Sequence, residues 1–117
     1  MSRTILIVDD HGVFRECARA ILEGDGYAVV GEAPDGQAGL RAALSLRPDV
    51  VLLDVLLPDL DGFAVAARLA EDAHGPAVII TSSSDDPLYP ERAARSGARG
   101  FVAKHDVCGA ELDRILA

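Results

Sequence analysis

Two places in the sequence put carboxylates where an apolar run stops: Asp9-Asp10 after Thr4-Ile5-Leu6-Ile7-Val8, and Asp54 after Val50-Val51-Leu52-Leu53. A carboxylate in such a position is costly to bury unless it is paired or coordinates a cation. Two further apolar runs end on complementary groups. Ala77-Val78-Ile79-Ile80 leads into the hydroxyls of Thr81-Ser82, and Gly100-Phe101-Val102-Ala103 into the ammonium of Lys104. Three carboxylates drawn together repel one another and raise at least one pKa unless a divalent cation neutralises them. Mg2+ suits such a place, because it takes oxygen ligands, keeps several waters and bridges carboxylates to phosphoryl oxygens. A hydroxyl and a lysine beside it would meet the charge of a phosphoryl group.

The elements that must position these residues follow from periodicity. Thr4 to Val8 reads as strand one. From Gly12 to Leu22 the residues Val13, Phe14, Cys17, Ala18, Ile21 and Leu22 keep a helical spacing and are expected to face inward, with Gly24 and Gly26 as the stop. Tyr27 to Gly31 is strand two. Asp35 is a candidate N-cap for a helix over Ala38–Leu46 that closes before Pro48. Val50 to Asp54 lacks alternation, the mark of a strand buried on both faces. Asp61 can cap a third helix with Phe63, Ala66, Ala67, Leu69 and Ala70 inward, ending near His74-Gly75-Pro76. Strand four is Ala77–Thr81. Pro87 and Pro90 confine helix four to a short piece, Glu91–Ser96, closed by Gly97. Strand five is Gly100–Ala103, and Asp106 is expected to cap a last helix that packs Leu112, Ile115 and Leu116 inward.

Strict alternation of short strands and helices requires right-handed crossovers and a parallel sheet covered on both faces. The expected fold is α/β, a flavodoxin-like doubly wound (βα)5 with a five-stranded parallel sheet in the order 2-1-3-4-5. That order sets strands one and three side by side at the switch point, where ligands bind, and brings Asp9, Asp10 and Asp54 together.

Composition narrows the function. A length of 117 residues fits one domain, expected to span residues 1–117. The net charge of −8 argues against this chain gripping phosphate backbones itself. No apolar run approaches a membrane span, and the chain enters a strand pattern without a signal peptide, so a soluble cytoplasmic protein is expected. Cys17 and Cys108 lack metal-ligand spacing and read as small reduced core residues. His11, His74 and His105 have no mutual spacing for a metal or a triad and read as surface residues or caps, with His11, beside the acidic pair, the one to watch.

Taken together, Asp9-Asp10, Asp54 with Pro58 and Asp61-Gly62, a hydroxyl after strand four, and Gly100-Phe101-Val102-Ala103-Lys104 resemble the receiver domains of two-component response regulators over the whole chain. Val8-Asp9-Asp10-His11 and Val29-Val30-Gly31-Glu32-Ala33 are most similar to the NarL/FixJ group, whose members usually carry a LuxR-type helix-turn-helix; these 117 residues contain no such segment. The resemblance implies a switch in which Asp54 takes a phosphoryl group from a histidine kinase and the domain controls an output domain or partner protein, with a homodimer on activation as a further expectation. Mg2+ would be held by Asp10, Asp54 and the backbone carbonyl of Leu56, with Asp9 reaching it through water, while Lys104 would pair with a phosphoryl oxygen. Counting 22 positions back from Lys104, as the NarL group does, lands on Ser82 as the switch hydroxyl, with Thr81 as the alternative. Phe101 occupies the position of the aromatic rotamer switch. Two departures stand out: His105 follows the lysine where many members have proline, and the two prolines shorten the helix that most members use to signal.

Other readings are weaker. A phosphatase of the haloacid-dehalogenase type needs a second Asp two residues after the first, and that position is Leu56. No G-x-G-x-x-G or P-loop follows a strand, which removes a nucleotide-binding module. A degenerate receiver, acting as a phosphorylation-independent interaction module, is the alternative within the same family.

Overall fold

The computed structural model describes residues 2–117, so Met1 of the expected 1–117 span lies outside the described residues. Its elements are β1 (Thr4–Val8), α1 (Gly12–Gly24), β2 (Ala28–Ala33), α2 (Gly36–Leu46), β3 (Val50–Asp54), α3 (Gly62–Ala70), β4 (Ala77–Ser82), α4 (Tyr89–Arg95), β5 (Gly100–Ala103), a 3-10 turn (Lys104–Asp106) and α5 (Gly109–Leu116). All strand pairs are parallel, and the order is β2-β1-β3-β4-β5. The expected architecture is therefore the observed one, with most element ends shifted by a residue or two and the end of α3 by about four.

Alternation along each strand divides the core in two. Leu6, Val8, Val51, Leu53, Val78 and Ile80 face α2, α3 and α4, whereas Ile5, Ile7, Val50, Leu52, Ile79 and Val102 face α1 and α5. All five residues of β3 are buried, which explains its unbroken apolar run. Truncating one of its leucines, Leu52 for example, costs about 2–5 kcal/mol in a core of this kind.

Two helix starts depend on carboxylates supplied as expected. Asp35 accepts from the Ala38 N–H at 2.8 Å and Asp61 from the Phe63 N–H at 2.7 Å. Helix α2 nevertheless begins at Gly36, two residues earlier than its spacing suggests, because Asp59 reaches back to the Gly36 and Gln37 amides at 2.8 and 2.9 Å. Those amides hold the Asp59 carboxyl below its ordinary pKa, the Gln37 N–H most of all.

Several expectations are corrected. On α1, Phe14, Ala18 and Leu22 turn inward, while Val13, Cys17 and Ile21 are exposed. Cys17 is thus not a core thiol, and Cys108 is only partly buried, as the residue preceding α5. On α3 it is Val65, not Ala67 or Ala70, that joins Phe63, Ala66 and Leu69 in the core, and the helix ends at Ala70. Helix α4 runs Tyr89–Arg95 with Pro90 in its first turn, short as expected. Asp106 does not cap α5; it lies in the preceding 3-10 turn. The carboxylate at that helix start comes from Asp25, the C-cap of α1, whose Oδ2 accepts from the Gly109 N–H at 2.7 Å. A Cβ at Gly109 would collide with the Asp25 side chain, so glycine is needed for this junction. Tyr27 donates to Asp113 on α5 at 2.6 Å, and burial, followed by that bond, pushes its phenol up to about 12.

Candidate functional site

Four strand ends deliver the site. Asp9 continues the alternation of Ile5 and Ile7, Asp54 that of Val50 and Leu52, Thr81 that of Ile79, and Lys104 that of Val102. All four therefore fall on the face covered by α1 and α5, at the carboxyl edge of the sheet. Asp54 and Thr81 are direct partners in the β3–β4 register.

Asp9 and Asp54 are buried, at 0 and 3 % exposure, and Asp10 and His11 form the solvent rim. The Lys104 Nζ lies 2.7 Å from Asp9 Oδ2 and 3.3 Å from Asp54 Oδ2, while its stem crosses the sheet edge so that the ammonium also sits 4.6 Å from the centre of the Phe14 ring. One ammonium thus serves two buried carboxylates. Burial, then the charge of Asp9, pushes the Asp54 pKa upward, and Lys104 and the Leu56 N–H only partly offset this. With Asp10 added, the cluster carries three acidic groups against one lysine. The ligand atoms of Asp9, Asp10, His11 and Asp54 all lie within 4.8 Å of one another. This crowding of oxygen donors with a surplus of negative charge fits a hard divalent cation.

The loop after β3 is held in place around Asp54. Val55 donates to the Thr81 carbonyl at 3.1 Å, Gly62 to the Val55 carbonyl at 2.8 Å, and Leu56 pairs with Asp61 in an antiparallel bridge. A Cβ on Gly62 would strike the Asp54 carbonyl oxygen, so the backbones touch there only because Gly62 has no side chain. Leu56 itself is 66 % exposed. On the other flank, Arg15 donates to the Asp9 carbonyl and to Glu32, which Arg19 also grips at 2.7 Å. These arginines, Arg19 first, keep the Glu32 carboxyl below its ordinary pKa.

The two candidate hydroxyls are buried on opposite faces. Thr81, beside Asp54, has an Oγ1 with no hydrogen-bond partner among the described residues. Ser82, the last residue of β4, accepts from the Ser84 N–H at 3.0 Å and shares the alternation of Ile80. Phe101 pairs with Ile80 and lies on that same face. It belongs to an aromatic row the sequence reading missed: Tyr89 stands 6.3 Å from Phe101 and 5.5 Å from Phe63, and the Arg92 guanidinium covers Phe63 at 4.2 Å. Phe63 was legible as a core residue, but the partnership of Tyr89 and Arg92 depends on how α4 docks.

A cavity of about 340 Å3 lies at the opposite edge of the sheet, lined by Leu40, Arg47, Asp49, Arg68 and His74 among others.

The family description "Response regulator receiver domain" matches residues 5–112. The transcription regulator BvgA of Bordetella pertussis is 39 % identical over 106 residues, covering 91 % of this chain and 51 % of BvgA. The transcriptional regulatory protein YdfI of Bacillus subtilis is 36 % identical, covering 86 % of this chain and 47 % of YdfI. The chain thus spans about half the length of the curated relatives it matches. Among solved structures, the signal receiver domain of NarL from Mycobacterium tuberculosis superposes with a TM-score of 0.88 at 34 % identity, covering 99 % of this chain and 98 % of that one. A LuxR-family response regulator from Aurantimonas gives a TM-score of 0.83 at 32 % identity, covering 97 and 81 %.

Proposed function

The chain belongs to the response regulator receiver domain family, and we propose that it works there as a phosphorylation switch in which Asp54 accepts the phosphoryl group of a histidine kinase. The single observation that carries this reading is the meeting of Asp54 with Asp9, Asp10 and Lys104 at the sheet's carboxyl edge. In the transfer, an Asp54 carboxylate oxygen attacks phosphorus in line, the P–N bond of the phosphohistidine breaks, and its electron pair departs with the imidazole. Lys104, already within reach of both carboxylates, turns its N–H groups to a phosphoryl oxygen. Asp10, Asp54 and the Leu56 carbonyl would hold Mg2+, with Asp9 joined through water; the cation, when bound, neutralises the crowded phosphoryl and carboxylate oxygens.

Ser82 is the proposed switch hydroxyl, supported by its place at the end of β4 on the face it shares with Phe101. Drawing its Oγ toward a phosphoryl group breaks its bond from Ser84 and opens space beside Phe101. Thr81 remains the alternative because its free hydroxyl lies beside Asp54.

The kinase's docking surface is proposed on α1. Val13, 77 % exposed, Cys17 and Ile21 form a stripe at four-residue spacing that begins two residues past His11, next to the acidic cleft. A helical partner presenting its histidine to Asp54 would lay apolar residues along that stripe. Residues 1–117 are proposed as the receiver unit, acting in a cytoplasmic setting. The charge of −8 leaves DNA contact, and any output, to a separate part or partner. Activation by homodimerisation is a further part of the proposal.

Incubation with a small acyl phosphate and Mg2+ should add one phosphoryl mass, base-labile and acid-stable, to the wild type and none to Asp54→Asn. An equal yield on that variant refutes Asp54 as the acceptor, and no adduct on the wild type refutes the switch in favour of a phosphorylation-independent module. Val13→Asp should slow transfer from a phosphorylated kinase about tenfold while leaving modification by the acyl phosphate unchanged.

A further inference from the structure

Resting on the same cation site, we infer that His11 is an additional protein ligand that makes it prefer imidazole-binding first-row ions such as Ni2+ over Mg2+. The His11 Nδ1 lies 3.2 Å from Asp9 Oδ1 and 3.1 Å from Asp10 Oδ1. Neighbouring ligand atoms around an octahedral ion with bonds of about 2.1 Å are separated by about 3.0 Å, so His11 Nδ1 and Asp10 Oδ1 already stand at the spacing of two neighbouring ligands, with the water-linked Asp9 carboxylate beside them.

The main chain holds the imidazole there. The His11 N–H is bonded to Asp9 Oδ1 at 2.8 Å, and the residue sits in extended backbone at φ −92°, ψ 106°, immediately before α1. The other Asp9 oxygen, Oδ2, is taken by Lys104, so Oδ1 is the one turned to the histidine. The ring is 67 % exposed, which leaves room for waters to complete a coordination sphere. Mg2+ draws on oxygen donors and gains little from a nitrogen, whereas imidazole suits Ni2+, Zn2+ and their neighbours, which also bind more strongly at any mixed N/O site. A carboxylate cluster without the histidine would therefore be less selective than this one.

The experiment is calorimetric titration of the untagged chain with Ni2+ and with Mg2+, for wild type, His11→Ala and His105→Ala, with the Ni2+ ligand-field absorption recorded in parallel. His11→Ala should weaken Ni2+ by about tenfold or more and shift the absorption band, while Mg2+ affinity changes less than about twofold. His105→Ala, which alters the exposed His105–Asp106 pair, should change neither. Ni2+ affinity unaffected by His11→Ala, equal losses for both metals, or a Ni2+ loss confined to His105→Ala would each overturn the inference. Selective Ni2+ loss in His11→Ala, together with a wild type that acyl phosphate cannot modify, would support the ligand and strike the phosphoacceptor reading instead.

Discussion

Replacing Asp54 by asparagine should make the cation-free domain more stable. Asp54 is buried and shares Lys104, 3.3 Å away, with Asp9, which sits closer at 2.7 Å. Burial and the charge of Asp9 raise the Asp54 pKa, and the lysine does not fully offset them. An amide of the same shape removes one of two charges competing for one ammonium, a relief on the order of 1–3 kcal/mol. Unfolding entropy of about 2.1 cal/mol/K per residue gives a chain of this length about 0.25 kcal/mol/K, so the melting temperature should rise by about 4–12 °C. The sign with pH follows from the raised pKa. The unfolded chain ionises first, so the difference between the two proteins should be smallest below the ordinary carboxylate range and grow as pH climbs through the folded value. Saturating Mg2+ should erase most of the difference or reverse it, because a ligand at a hundredfold excess over its Kd adds about 2.7 kcal/mol to the protein that binds it. Thermal melts followed by circular dichroism between pH 5 and 8, with chelator and with Mg2+, would test this. A melting point for Asp54→Asn at or below the wild type's at pH 8 in chelator would refute the electrostatic reasoning.

Ser82→Ala should leave Asp54 open to acyl phosphate yet suppress the amide NMR shifts that phosphorylation induces around Phe101, whereas Thr81→Val should keep them; the reverse pattern moves the switch to Thr81. Gly62→Ala should cost more than about 3 kcal/mol in a urea melt, since its methyl group meets the Asp54 carbonyl backbone rather than a side chain that can turn aside. Asp25→Ala should lower stability by about 1 kcal/mol through the lost cap at Gly109, with the earliest hydrogen exchange in the first turn of α5. In an ultraviolet pH titration Tyr27 should ionise near 12, and the stability tied to its bond with Asp113, present below the ordinary phenol range, should fade as pH rises between about 10 and that value.

Much of this molecule was legible as sequence because the strands are short, apolar and ended by chemistry. Asp9, Asp54 and Lys104 announce both the end of a strand and the place where the ends converge. What escaped depends on choices that local pattern does not make. Helix α1 carries two apolar stripes side by side, Phe14-Ala18-Leu22 and Val13-Cys17-Ile21, and only docking on the sheet selects the first for burial. On α3, alanines fit either face, so Ala67 and Ala70 carried no real signal while Val65 did. The remaining misses are long-range. Asp59 supplies a helix start 23 residues before it and Asp25 one 84 residues after it, so the local candidate, Asp106, was a reasonable expectation that a distant carboxylate displaced.

The Asp25 junction has a mechanical consequence. One residue ends α1 and holds the first amide of α5, and the Tyr27–Asp113 bond ties the same corner to α5 again. The C-terminal end of α1 and helix α5 are thus fastened at one corner by two hydrogen bonds to carboxylates. Helix α4, seven residues long with no side-chain cap at its start, is held instead by Tyr89 against Phe63 and Phe101 and by Arg92 over Phe63. Any movement of α5 at that corner must therefore break these two bonds or pull on the end of α1, whereas movement of α4 must slide its aromatic contacts.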